Sequence, residues 1–293
     1  MPAVLAWTEE VFRVYNEALK SGFLCRYQII AQAGKDGNEM SLTPLTFLIV
    51  CPLVFVAGLV DAIGGGGGLI SLPAFLFAGL PVHLAVGTNK LSSACGTTLA
   101  TVRFARKKMI NWSLALPTIV AAVVGSSLGA HISLRLDERV MLVILLAILP
   151  LVAFAVLNKH ILKDIGKEHE RITRRSYISA TLAAFAVGMY DGLYGPGTGT
   201  FLIVLLTIFS KLSMATANGQ TKAINLTSNL TSLVIFLMNG TVLIPLGAAA
   251  ALCNMLGAYI GSGMVMEKGS KIVRPIMLAV LVLLFLKVVS ELL

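Results

Sequence analysis

Four ionisable residues stand inside long apolar stretches of this 293-residue chain: Asp61, Lys90, Asp191 and Lys222. A charge at membrane depth costs about 2.5–3.5 kcal/mol on insertion scales, so such residues usually mark a pathway or an ion pair. Two glycine runs accompany them. Gly64 to Gly68 is unbroken glycine, and Gly195-Pro-Gly-Thr-Gly199 is the second run. Glycine lets the backbone turn sharply and lets another group approach closely. A helix that starts at such a turn offers free N–H groups and a partial positive charge, which favour an anion. Thr198 adds a hydroxyl as cap or ligand. The plainer alternative is that the glycines only let helices pack closely, the lysines snorkel to an interface and the aspartates pair with them structurally.

Spacing brings in more polar residues. Lys90, Ser93, Thr97 and Thr101 share one helix face, and Lys222, Asn225, Asn229 and Ser232 do the same further on. The resulting candidate site takes backbone N–H groups from Gly65, Gly66, Gly67 and Gly68 and from Gly195, Gly197 and Gly199. Lys90 and Lys222 supply positive charge, and Thr88, Asn89, Thr198, Gln220 and Asn225 complete an oxyanion's hydrogen bonds. Asp61 or Asp191 is the candidate carrier of a coupling proton. Other motifs are weak. Gly125-Ser-Ser-Leu-Gly129 fits GxSxG, but that motif needs a strand-to-helix elbow, and here it lies in an apolar helical stretch. Its second-half counterpart, Gly257 to Gly261, has no serine at the position of Ser127. His83, His131, His160 and His169 have no metal-binding spacing, and Cys25, Cys51, Cys95 and Cys253 form no CxxC. Neither a Walker A nor a GxGxxG sequence is present, so no nucleotide, metal or other cofactor is expected.

The elements that position these residues are membrane helices. Apolar residues make up 57% of the chain and charged ones 13%, against roughly 45–50% and 25% in soluble domains; mean hydropathy is +0.87. So few charges cannot cover a folded surface for water. The net charge of +9 sits in short clusters between apolar segments, as the positive-inside rule leads one to expect, and nucleic acid is not a partner. The apolar segments are 43–63, 68–80, 85–102, 113–133, 140–157, 178–193, 198–210, 214–238, 243–263 and 275–290. Most are long enough for a core that needs roughly 20 helical residues. The two that follow the glycine runs, 68–80 and 198–210, are too short, and read as broken or re-entrant helices. Residues 1–42 differ: Trp7, Val11, Tyr15 and Ala18 at helical spacing fit an amphipathic interfacial helix, while a plain extension is the other reading.

The chain also repeats itself. Gly58-Leu-Val-Asp61 through Gly67 matches Gly188-Met-Tyr-Asp191 through Gly197 at a shift of 130 residues. Ala85 to Ser93 matches Ala217 to Asn225 at a shift of 132, and Gly125 to Gly129 matches Gly257 to Gly261 at the same shift. The expected organisation is therefore an all-α integral membrane protein with two homologous repeats, 43–157 and 178–293, joined by a basic linker, 158–177. Lys159, Lys163, Lys167, Arg171, Arg174 and Arg175 place that linker in the cytoplasm. Arg103, Arg106, Lys107 and Lys108 belong on the same side, whereas the equivalent loop Asn239-Gly-Thr241 has no charge. Equivalent loops thus prefer opposite sides, the pattern of an inverted repeat, with both termini outside.

Asp61-Ala-Ile-Gly-Gly-Gly-Gly-Gly-Leu-Ile-Ser-Leu-Pro73, Gly79-Leu-Pro81 and Ala85-Val-Gly-Thr-Asn-Lys90 resemble the sulfite exporter TauE/SafE family, also called the TSUP superfamily. The basic loop Arg103–Lys108, the glycine-containing helix at Gly125–Gly129 and the second-half Gly-Xaa-Gly-Thr-Gly pattern fit as well. The resemblance runs from about Leu45 to the C-terminus. It implies a multi-pass permease of the bacterial cytoplasmic membrane, whose partners are the lipid bilayer and a small anion such as sulfite, sulfoacetate or another organosulfonate. Transport would be secondary, coupled to a proton or another ion. Lys90 sits where many relatives have a small or apolar residue, so the resemblance implies no family-wide role for it. A passive anion channel and a membrane enzyme using Ser127 or a histidine are the competing readings.

Overall fold

In the computed structural model, residues 43–136 and 172–268 are described, together with 271–273, 275, 276, 279 and 282. The N-terminal 1–42, the segment 140–157, most of 275–290 and the linker up to residue 171 lie outside the described residues. The described chain is helical, with no strand. In order, it forms α1 (Pro44–Gly64), α2 (Gly68–Phe77), α3 (Val82–Arg106), α4 (Trp112–Ser133), α5 (Arg174–Leu193), α6 (Thr198–Phe209), α7 (Met214–Met238) and α8 (Ile244–Lys268).

The ends of these helices follow from local sequence. Thr43, Asn111 and Ser213 accept from the exposed N–H groups at the starts of α1, α4 and α7, meeting the need of the unpaired first turn. Thr173 and Ser176 form a capping box, so α5 begins at Arg174 rather than at 178, and the last linker residues are helical. Similarly, α3 extends beyond the expected 85–102, running from Pro81 to the turn at Lys107. The helices α2 and α6 have 10 and 12 residues, about 15 and 18 Å of rise, well short of a hydrocarbon core of about 30 Å.

Close glycine contacts give the packing directions. On the α1–α8 interface, a Cβ at Gly257 would meet the Phe55 carbonyl and one at Gly261 the Leu59 carbonyl, so these helices run parallel. Cys51 and Cys253, far apart in sequence, meet across the same interface. The helices α4 and α5 are parallel too, with Gly125 against Phe185 and Gly129 against Met189. Thr88 reaches Leu243 while Arg103 reaches Ser262 at 3.0 Å, which makes α3 and α8 parallel. By contrast, Lys90 meets Asn229 while Thr101 meets Lys222, so α3 and α7 cross antiparallel. The start of α4 lies beside the start of α7, where Gln220 donates to Thr118 at 3.2 Å. Thus α1, α3 and α8 run one way, and α4, α5 and α7 the other.

Apolar and polar residues are segregated radially. Leu48, Val120, Leu182 and Leu256 are among the outward-facing exposed residues of α1, α4, α5 and α8. Among the described residues, three helices, Pro44–Gly64, Trp112–Ser133 and Ile244–Glu267, are long and apolar enough to cross a membrane. The more polar α3 and α7 cross at the centre, where Lys90, Lys222, Asn218, Gln220 and Ser228 are buried. A bilayer offers no water to such groups, so their partners must come from the protein itself.

Candidate functional site

The two glycine turns meet. Gly65 has φ 77, and Gly195 and Gly197 have φ 93 and 81, a region that side chains with a Cβ disfavour. Gly65 donates its N–H to the Asp61 carbonyl at 2.9 Å, closing the end of α1. Its own carbonyl accepts from Thr200 N–H at 3.2 Å, and the Thr200 hydroxyl donates to the Gly64 carbonyl at 2.6 Å. A Cβ at Gly68 would lie 3.2 Å from Pro196 Cα. The first turns of α2 and α6, one from each half of the chain, are therefore pressed together. Of their first-turn N–H groups, those of Leu69, Ile70, Thr198 and Thr200 donate to the Gly66, Gly67, Gly195 and Gly65 carbonyls. That leaves the N–H groups of Gly68 and Gly199, both in the lining of a polar cavity.

Two ion pairs flank this junction, and both cross between the halves. Lys90 Nζ lies 2.8 Å from Asp191 Oδ2, with side chains 2% and 3% exposed. Lys222 Nζ lies 3.1 Å from Asp61 Oδ2, with side chains 0% and 22% exposed. Lys222 also donates to the Asp61 main-chain carbonyl, and Lys90 to Asn229 Oδ1 at 3.2 Å. Asp191 further accepts from the hydroxyls of Thr198 at 2.9 Å and Ser228 at 2.6 Å. Of the plainer alternative, the snorkelling part does not hold, because both ammonium groups are buried, while the pairing of the aspartates with the lysines is present.

Between the pairs and the helix starts lies a polar cavity of about 20 Å³, room for about one water. Of the expected site residues, Asp61, Gly65, Gly68, Asn89, Lys90 and Asn225 line it, as do Asp191, Gly195, Thr198 and Gly199. Ser93 and Asn229 line it too. Both stand on the polar stripes; the Asn229 amide is an expected donor to the anion, whereas Ser93 has no expected role although its spacing from Lys90 carries the signal. Asn89 accepts from Ser71 at 2.6 Å through Oδ1, which turns its amide donors away from Ser71.

Other expected residues are engaged elsewhere. The Thr88 hydroxyl accepts from Leu243 N–H at 2.9 Å, fixing α3 to the start of α8. Gln220 holds Thr118, and Lys222 sits behind Asp61 rather than in the lining. Gly66, Gly67 and Gly197 build the turns: the Gly66 carbonyl accepts from Leu69, Gly67 N–H reaches Asp61 Oδ1 at 3.4 Å, and the Gly197 carbonyl accepts from Phe201. No excess of positive charge gathers at the site. The lining holds Lys90 with both aspartates, and Lys222 behind them brings the four charges to neutrality. Gly125 and Gly129 serve close packing of α4 on α5, and no group of three metal-ligating side chains occurs among the described residues.

The chain is similar to known membrane transporter proteins. The family model described as Sulfite exporter TauE/SafE matches residues 50–288. A Sinorhizobium protein named probable membrane transporter protein ORF9 is 34% identical over 254 residues, covering 87% of this chain and 95% of its own length. A probable membrane transporter protein of Haemophilus influenzae is 33% identical, covering 81% of this chain and 92% of its own. Escherichia coli YfcA, also named a probable membrane transporter protein, is 32% identical, with 82% and 88% covered. No solved structure matches the chain.

Proposed function

Since the chain belongs to the TauE/SafE family and is a multi-pass membrane transporter rather than an enzyme, we propose that it carries small sulfur-containing anions through the cavity where its two halves meet. The class of substrate is sulfite, sulfoacetate or another organosulfonate. The observation that carries this reading is the juxtaposition of two glycine-opened helix starts with Lys90 and Asn89 on a polar cavity inside an otherwise apolar body. The N–H groups of Gly68 and Gly199, with an ammonium beside them, are donors of the kind an oxyanion needs.

The two halves form an inverted repeat in this reading. Its support is the matching order of helix lengths, with α1, α3 and α8 opposed in direction to their counterparts α5, α7 and α4. Such repeats suit alternating access, in which one half moves against the other around a fixed site. The cavity favours a carrier over a channel. Space for about one water cannot admit a sulfonate or sulfite without movement of the walls. The relatives' bacterial sources and the apolar helices suit a cytoplasmic membrane, and coupling to a proton or another ion belongs to the same proposal. Purified protein in liposomes should accumulate labelled sulfite or sulfoacetate when a pH gradient is imposed, saturably and with cross-competition. Flux that neither saturates nor responds to the gradient would favour the channel, and absence of flux for every sulfur anion would remove the reading.

A further inference from the structure

We propose that Asp61, and not Asp191, takes up the proton that accompanies the anion. This deepens the carrier reading and depends on it for its role in transport. The two aspartates occupy matched positions, but their surroundings differ. Asp191 is sealed and accepts three side-chain donors: Lys90, Thr198 and Ser228. Protonating it would disturb all three contacts, turning Thr198 and Ser228 to the Gly195 and Asn225 carbonyls and leaving Lys90, sealed from its surroundings, with the Asn229 carbonyl oxygen alone. Asp61 accepts Lys222 and one long N–H contact from Gly67. Its carboxylate is the one open to surroundings, with 22% of the side chain exposed. Protonation there leaves Lys222 the Asp61 main-chain carbonyl as an acceptor, and the anion that arrives with the proton supplies the missing countercharge.

The difference is written into the sequence. At the repeat shifts, Thr198 corresponds to Gly68 and Ser228 to Gly96. The first half thus lacks both hydroxyls that hold the second half's aspartate. Other charges facing Asp61 are Lys222 from α7, and Lys90 of α3 and Asp191 of α5 across the cavity. No titratable residue lies on α2 or α6, and Cys253, Tyr259 and Glu267 of α8 are outside the lining.

The charge balance follows. With both pairs formed, two lysines offset two aspartates. One proton on Asp61 leaves the site with a single net positive charge, which one monoanion neutralises. Anion and proton therefore bind together, and Lys90 is the ammonium that can turn from Asn229 toward the anion while Asp191 stays fixed.

Infrared difference spectra of the purified protein, acid minus neutral, test this without any substrate. A protonated-carboxyl band should appear in the wild type, vanish in Asp61→Asn and move in frequency in Asp61→Glu. A band unaltered in both variants would overturn the proposal. In liposomes where the wild type accumulates labelled sulfite, Asp61→Asn should bring the ratio of gradient-driven to gradient-free uptake to about one. A ratio equal to the wild type's would also overturn it. Failure of the wild type to carry any sulfur anion would instead count against the carrier reading, with the infrared result standing by itself.

Discussion

Lys90→Met alone should destabilise the protein by about 3–5 kcal/mol, the usual loss when one member of a buried ion pair is removed. Asp191 would be left 3% exposed with two hydroxyl donors and no countercharge. The cost comes from the stranded charge more than from the missing bond. Asp191→Asn in the same chain should therefore recover most of it, since an amide can still accept from Thr198 or Ser228 and carries no charge. Reversible denaturation of the four proteins in detergent gives the coupling energy directly. Single variants within about 1 kcal/mol of the wild type would mean that the pair is hydrated and not a structural element. Uptake should be lost in the single and the double variant alike, because neither keeps the ammonium in the cavity.

The second large effect belongs to Gly199→Ala. An added Cβ would overlap Gly65 Cα and come 2.8 Å from the Gly65 carbonyl oxygen. Both atoms are backbone, and neither can swing aside as the end of a side chain would. The two helix starts would have to separate, breaking the Thr200 bonds to Gly65 and Gly64. A loss of about 3 kcal/mol, the upper part of the range for overpacking, is expected, with uptake abolished. Gly68→Ala makes the comparison. Its Cβ would sit 3.2 Å from Pro196 Cα, a contact that a few tenths of an ångström relieve. Its stability should fall by less than about 1 kcal/mol, within the scatter of ordinary substitutions. Equal losses at the two positions, read from the same denaturation curves, would show that the abutment of the helix starts is not tight.

Much of the helix layout was legible because apolar runs end at recognisable stops. Gly65, Gly197 and the caps Thr43, Asn111 and Ser213 lie where helices begin or end. Boundaries missed where a polar residue was helical, as at Arg174, whose helix is started by Thr173. The cavity was legible through spacing from the lysines. Thr88 and Gln220 fell outside it for a reason the sequence also held. Each stands two residues before a stripe lysine, about 200° round the helix axis, and so faces a neighbouring helix. The ion pairs were not legible as they are. Matched positions showed that the halves share an aspartate and a lysine, but not that each lysine takes the aspartate of the other half. That exchange depends on α3 and α7 crossing antiparallel, a tertiary arrangement that no local pattern encodes. With it, the two lysines expected to attract the anion became members of two neutral pairs, only one of them open.

The claim that the anion is held where α2 and α6 begin is tested most directly by locating one. Selenite is a close analogue of sulfite, and its selenium scatters anomalously. Crystals of the protein with ordinary methionine, grown in selenite, should show an anomalous peak in the cavity bounded by Gly68, Gly199, Lys90 and Asn229, with the walls parted to admit it. The oxygens should lie within hydrogen-bond distance of Lys90 Nζ and the Asn89 amide. A peak at another place in the membrane body, with this cavity unfilled, would contradict the account.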